Sequence, residues 1–365
     1  MRAVASAPPE ARGLARDGVR LLAATPDGLR HSVFAELPRF LSAGDLLVVN
    51  TSATMAAAMD GRRADGRPVT ADFSTPLDDG SWLVELRGSD AEHGRVRDAA
   101  PGEVIALASG ITVTLLHRYP ETGSERMWAV TIAGTDDVVE SLARHGRPIR
   151  YSYVPDSWPL SDYQTVFSRD PGRAGPGGAG LGGAGLGGAG LGSAGLGSAE
   201  MPSAGRPFTG DLVARLVSAG VMLAPITLHA GVASLEAGEP PLPERYSVPE
   251  PTARLVNLAR ASGNRVIAVG TTCTRAVESA TDAAGTVHAS SGWTDLVLGE
   301  QHLARVVTGL ITGWHDPEAS HLALLRAVAG PDLVAAAYAE AERAGYLGHE
   351  FGDSCVLLPP RRRTG

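Results

Sequence analysis

Residues 265–279 pass from Val266-Ile267-Ala268-Val269 through Gly270 into Thr271-Thr272-Cys273-Thr274-Arg275 and on to Glu278 and Ser279, and no other stretch limits the fold so tightly. The short apolar, partly β-branched run suits a buried strand, and the residues after it suit a helix. Gly270 supplies the turn, and Thr271 or Thr272 is placed to cap that helix. Such a turn aims backbone N–H groups at a ligand; with the helix dipole it favours a carboxylate, a phosphate or a ribose edge. Strand-helix packing asks for the same small residues, so spacing alone leaves both readings open.

The patterning changes twice along the chain. An apolar strand at 45–50 is followed, from about Gly61 to Ile132, by short runs at 82–86, 104–107, 111–116 and 127–132, separated by Gly, Asp and Pro turns. Strands alternate with helices on either side. The expected fold class is therefore α/β: a discontinuous main domain, residues 1–60 and 136–365, with a small all-β, barrel-like domain inserted at 61–135. The second change is the Gly-rich segment 172–198, where an Ala-Gly-Leu-Gly-Gly or Ala-Gly-Leu-Gly-Ser pentad recurs from Ala179 to Ser198. One Leu per pentad returns too little to order so much glycine, and a flexible loop within the main domain is expected. Both a lid and a tolerated insertion fit such a loop.

Composition narrows the chemistry. All 32 basic residues are Arg, which removes Schiff-base lysines and the lysine of Walker-type phosphate loops. A net charge of −8 argues against a broadly basic nucleic-acid surface, though not against a local one. Cys273 and Cys355 make no disulfide framework, and no CxxC or HExxH spacing suggests a metal site. No apolar run approaches the roughly 20 residues needed to cross a bilayer, and Pro8, Pro9 and Glu10 stand where a signal peptide would be apolar. A soluble protein of the reducing cytoplasm is expected, with no membrane partner.

Candidate site residues cluster after strands. His229 follows an apolar run, and His315 stands between Trp314 and Pro317 at a strand-to-helix turn, where an imidazole suits a ribose or acts as a base. His321 lies in the following helix. Arg275 and Glu278 are spaced to pair on one helix face. Asp353 in Phe-Gly-Asp suits a ribose, an amine or a turn. Cys273, in the first helical turn, offers a rival reading as a nucleophile with a lowered pKa.

Together with Leu310-Ile311-Thr312-Gly313-Trp314-His315-Asp316-Pro317 and Phe351-Gly352-Asp353, the run at 265–279 resembles the S-adenosylmethionine:tRNA ribosyltransferase-isomerases of queuosine biosynthesis. The likeness continues through Gly44-Asp45-Leu46-Leu47-Val48-Val49-Asn50, Tyr163-Gln164-Thr165-Val166, Pro202-Ser203-Ala204-Gly205 and Thr227-Leu228-His229. It implies S-adenosylmethionine as co-substrate, with no further cofactor and no metal, and a tRNA bearing 7-aminomethyl-7-deazaguanine as acceptor. It also implies catalytic roles for His229, His315, Asp353 and Glu244. Substrate binding would fall to Asn50, Tyr163, Gln164, Gly270, Thr271, Thr272, Arg275 and Thr312. The chain departs from the family pattern in places. Asn50-Thr51-Ser52-Ala53 and Ala56-Ala57-Ala58 stand where the family has Asn-Asp-Thr-Arg and Pro-Ala-Arg, and Asp162 replaces an arginine. Those losses leave two other readings open, a paralogue acting on a small-molecule acceptor and a non-catalytic nucleotide-binding protein.

Overall fold

The expected strand after Arg265 exists and is the hub of a large sheet. The structure, a computed structural model, describes residues 3–88, 94–120, 126–151, 153–169, 196–232, 241–315 and 321–360. In chain order the strands begin with β1 (Arg20–Thr25), β2 (Gly28–Val33) and β3 (Leu46–Asn50). Six more follow: β4 (Ala58–Arg62), β5 (Pro68–Pro76), β6 (Trp82–Gly88), β7 (Val104–Leu107), β8 (Thr112–Tyr119) and β9 (Met127–Ala133). The last six are β10 (Met222–Leu228), β11 (Glu244–Val248), β12 (Val266–Val269), β13 (Ser290–Thr294), β14 (Gly309–Gly313) and β15 (Ser354–Leu357).

Strands β4 to β9 close into an antiparallel barrel in the order β4-β5-β6-β9-β8-β7. Its alternating runs put Phe73, Val84, Val113 and Trp128 inside, and closure leaves no edge to pair with another chain. The other nine strands form one sheet, ordered β13-β11-β10-β3-β12-β14-β15-β1-β2. Its centre is parallel, β10 with β3, β3 with β12 and β12 with β14; β11 and β15 join it antiparallel, and β1 runs parallel to β15.

Every residue of β12 and of β3 is buried, as strands covered on both faces require. Leu46, Val48, Val266 and Ala268 face one core; Leu47, Val49, Ile267 and Val269 face another. The first core is covered by α3 (Glu250–Ala261), α4 (Thr271–Ser279), α5 (His321–Ala329) and α6 (Pro331–Arg343). The second is covered by α2 (Gly210–Ser218), whose N-cap Thr209 accepts from the Leu212 N–H at 3.2 Å. Because side chains alternate between two filled cores, a one-residue slip of β3 or β12 would empty both, and the register is fixed.

Two local expectations shift. Helix α4 starts one residue earlier than a threonine cap would place it: Gly270 itself is the N-cap, at φ 93, and no side chain caps it. A side chain at that φ would be strained, so glycine is required. Residues 170–195, most of the expected Gly-rich loop, lie outside the described residues. At its end, buried Ser198 exchanges backbone hydrogen bonds with Ala53 at 2.7 Å and Met55 at 2.8 Å.

Candidate active site

The carboxyl ends of β12 and β14 open into a cavity of about 750 Å3, closed on its far side by the barrel. Strand ends of an open α/β sheet are where ligands are usually held, since loops and helix N-termini converge there. The first turn of α4 contributes Gly270, Thr271 and Thr272, and β14 contributes Thr312 and, just past its end, His315. The barrel supplies Ser74 and Leu83, the segment after α1 (Val138–His145) supplies Tyr151 and Tyr153, and Glu244 comes from the start of β11.

Glu244 and Arg275 form a buried pair in the wall, with the Arg275 Nη1 group donating to Glu244 Oε2. The rest of the guanidinium is occupied by the carbonyls of Leu296 at 3.1 Å, Thr294 at 3.0 Å and Leu242 at 3.2 Å. Glu244 Oε1 accepts from the Gly231 N–H at 3.0 Å. Burial raises the Glu244 carboxyl above the usual range, and Arg275 and the Gly231 hydrogen bond oppose that rise. Arg275 therefore does not pair with Glu278 as the helical spacing suggests. Glu278 instead accepts three backbone N–H groups, from Arg305, Val306 and Val307, at 2.8 to 2.9 Å.

His315 lies against His321, the two rings parallel at 4.4 Å, and its Nε2 is 3.1 Å from the Thr312 hydroxyl. Burial, then the charges of His321 and His349, push its pKa well below the ordinary value. Burial thus favours the neutral imidazole over its protonated form. Burial has the opposite effect on Cys273: fully enclosed in the core, its thiol is pushed far up, which removes the low-pKa nucleophile reading.

Five of the expected residues stand behind the cavity wall rather than in its lining. Asn50 ties β3 to β10 through Leu228, accepting from its N–H at 3.1 Å and donating to its carbonyl at 2.8 Å. His229 Nδ1 is 2.8 Å from the Ser52 hydroxyl, which also accepts from Ser198 at 2.8 Å. Tyr163 is buried with its ring edge-on to Phe351, and the Gln164 side chain clasps the backbone N–H and carbonyl of Thr54. Asp353 accepts from Arg20 Nη2 at 2.8 Å and from the Leu347 N–H at 2.9 Å. The two alanines where the family pattern carries arginines, Ala53 and Ala58, are both buried near the barrel junction.

What Asp353 fastens is the turn at 347–353, which puts His349 and Glu350 on the cavity wall, and sequence reasoning missed both. His349 holds φ 70, unusual for a residue with a side chain, and its ring stacks on Tyr153 at 4.1 Å. A Cβ on Gly352 would fall 2.5 Å from the Leu347 and Gly348 carbonyls, so only glycine closes the turn. The available signal was a His-Glu pair flanked by Gly348 and Gly352 just before Asp353. On the same wall, the Tyr151 hydroxyl donates to Glu200.

A cavity of this size at parallel strand ends, lined by carboxylates, imidazoles and a glycine-started helix, belongs to the ligand-binding enzymes of the α/β class. Residues 1–182 and 193–357 match the family described as queuosine biosynthesis protein, and the chain belongs to that family. It is 33% identical over 359 residues to the S-adenosylmethionine:tRNA ribosyltransferase-isomerase of Acidiphilium cryptum, covering 94% of this chain and 93% of that one. The protein of the same name from Novosphingobium aromaticivorans is 31% identical over 357 residues, 94% of each chain. A solved structure of S-adenosylmethionine tRNA ribosyltransferase from Thermotoga maritima aligns with a TM-score of 0.48 and 24% identity, over 97% of this chain and 96% of that one. No described helix is long and apolar enough to cross a membrane.

Proposed function

We propose that this chain transfers the ribosyl moiety of S-adenosylmethionine to 7-aminomethyl-7-deazaguanine in tRNA and isomerises it, yielding epoxyqueuosine-tRNA, adenine and methionine. The observation that carries the reading is that His315 and the first turn of α4 line one cavity of a chain that matches this family almost throughout. The sulfonium of S-adenosylmethionine acidifies the adjacent C5′ protons and makes methionine a good leaving group. His315 takes the C5′ proton, and the resulting carbanion is stabilised by the neighbouring sulfur. The N–H groups of Thr271 and Thr272 receive the methionine carboxylate, and Thr312 orients the imidazole through its hydroxyl. Glu244, fixed by Arg275 and Gly231, faces the ribose.

The protein acts in the cytoplasm, where its tRNA is. With a net charge of −8 it holds that tRNA through a local surface, so binding should weaken steeply with salt. The test is to incubate the purified protein with S-adenosylmethionine, with and without precursor-modified tRNA, and follow adenine, methionine and the nucleoside by mass spectrometry. Release that requires tRNA, with an epoxide-bearing nucleoside, is the expected result. Release without tRNA, or none at all, overturns the reading.

A further inference from the structure

Among the charged groups of the cavity wall, one carboxylate has nothing to bind. Glu200 receives the Tyr151 hydroxyl and Glu244 receives the Arg275 guanidinium. Glu350 lines the same cavity, yet its Oε2 is sealed from water and has no hydrogen-bond partner among the described residues. Among the described residues, burial alone shifts the Glu350 carboxyl, with no cation to oppose it. Arg275 is the one arginine of the described lining, and its donors are committed to Glu244 and three carbonyls. Burial keeps His315 and His321 below their ordinary pKa.

The neighbours that feel the charge of Glu350 are phenols. The phenols of Tyr153 and Tyr163, both shifted upward by burial first and by Glu350 second, lie within reach of its charge, and His349 precedes it in the turn. A sealed carboxylate oxygen with no donor is costly, and a folded chain holds one there only by over-determining its position. That is what the turn does. Asp353 ties down the Leu347 N–H, the His349 N–H donates to the Trp314 carbonyl at 3.1 Å, and the His349 ring is stacked on Tyr153. The carboxylate is therefore preorganised in the wall of the cavity that His315 also lines.

We propose that Glu350 is the counter-ion for a cationic group of S-adenosylmethionine, its sulfonium or its α-ammonium. The inference rests on the function proposed above, which names that ligand. Both cations match an acidic wall with one unpartnered carboxylate, and tyrosine rings next to it favour an onium group further. Burial raises the Glu350 carboxyl to about 7, so the ionised form that binds a cation is filled as pH passes through neutrality.

The experiment is to titrate wild type and Glu350→Gln with S-adenosylmethionine, S-adenosylhomocysteine and 5′-methylthioadenosine by calorimetry. Between about pH 6 and about pH 7.5 the ionised fraction of Glu350 climbs from about a tenth to about three quarters, so wild type should bind S-adenosylmethionine about eightfold more tightly at the higher pH. Glu350→Gln should lose that response and bind about tenfold more weakly at the higher pH, the size of one lost charge-assisted contact. 5′-Methylthioadenosine, which carries neither cation, should bind both proteins alike. Weakening confined to S-adenosylmethionine assigns the sulfonium, and weakening shared with S-adenosylhomocysteine assigns the α-ammonium; either supports the proposal. Undiminished binding by Glu350→Gln, or equal weakening for 5′-methylthioadenosine, overturns it while leaving the proposed reaction standing. Failure of wild type to bind S-adenosylmethionine overturns the reaction itself, and the counter-ion with it.

Discussion

Replacing Glu350 by glutamine should stabilise the protein, by an amount that depends on pH. The carboxyl has an ordinary value of 4.5 and is raised by burial to about 7 in the folded protein. The unfolded chain therefore loses this proton near the ordinary value, while the folded chain keeps it until about neutrality. Between those limits the folded state binds more protons, so wild-type stability falls as pH rises through the window. A gap of roughly 2.5 units at about 1.4 kcal/mol each sets a ceiling of about 3 kcal/mol, and the side chain's partial exposure to the cavity brings the expected value nearer about 2 kcal/mol. Glutamine has the same shape and no charge to desolvate. Buried Asp72, also raised to about 7 by burial, titrates in both proteins and cancels in the difference. Urea unfolding of the two proteins, followed by tryptophan fluorescence across this range, reads the effect directly. The curves should coincide at the acid end and separate by about 2 kcal/mol above neutrality. A difference that does not vary with pH, or a less stable variant on the alkaline side, would refute the reasoning.

Three further outcomes are expected. Glu278→Gln leaves one oxygen to serve the three N–H groups of residues 305–307 and turns an amide donor toward them, so thermal unfolding should show a loss of about 2 kcal/mol with the low-temperature rate retained. Gly270→Ala forces a side chain onto φ 93 with its Cβ 3.3 Å from that of Ala204. A cost of about 1–2 kcal/mol and weaker S-adenosylmethionine binding should follow, and an unaltered dissociation constant would show that the first turn of α4 does not meet the ligand. His315→Ala should lower kcat by about 10²- to 10⁴-fold with little change in KM, read as adenine release; a full rate would exclude it as the base.

The barrel strands were legible because a pleat advertises itself: the runs at 82–86, 104–107 and 127–132 became β6, β7 and β9 almost unchanged. Strands β11 and β13, on one flank of the sheet, were not. Glu-Arg-Tyr-Ser-Val and Ser-Ser-Gly-Trp-Thr are mostly half-exposed and lack the apolar alternation that marks a strand. Pairing rules failed where they assumed a solvated helix. Arg275 and Glu278 are both buried on α4, so each bonds across the fold, Arg275 to a residue 31 positions away and Glu278 to loop amides 27 to 29 positions away. The strand-end rule located Thr271 and His315 on the cavity, but His229, at the end of β10, stands behind its wall. It carried no information about a turn such as 347–353, whose residues reach the cavity through left-handed backbone, a ring stack and a carboxylate anchor rather than through any periodic pattern.

The barrel also bears on how the sheet comes together. Strand β3 lies between β10 and β12, and at its end Thr51 meets Thr227, 176 positions further along the chain. Barrel hairpins such as β5-β6 close short loops and can form early, whereas so distant a pairing is slow. Yet the chain enters and leaves the barrel at adjoining points, since Ala58 and Arg147 exchange backbone hydrogen bonds at 2.9 Å. A completed barrel is thus a clasp that cancels much of the separation before β3 has found either neighbour. Loosening its interior, for example at Phe73, should slow refolding of the whole sheet in stopped-flow experiments although no residue of the sheet has changed.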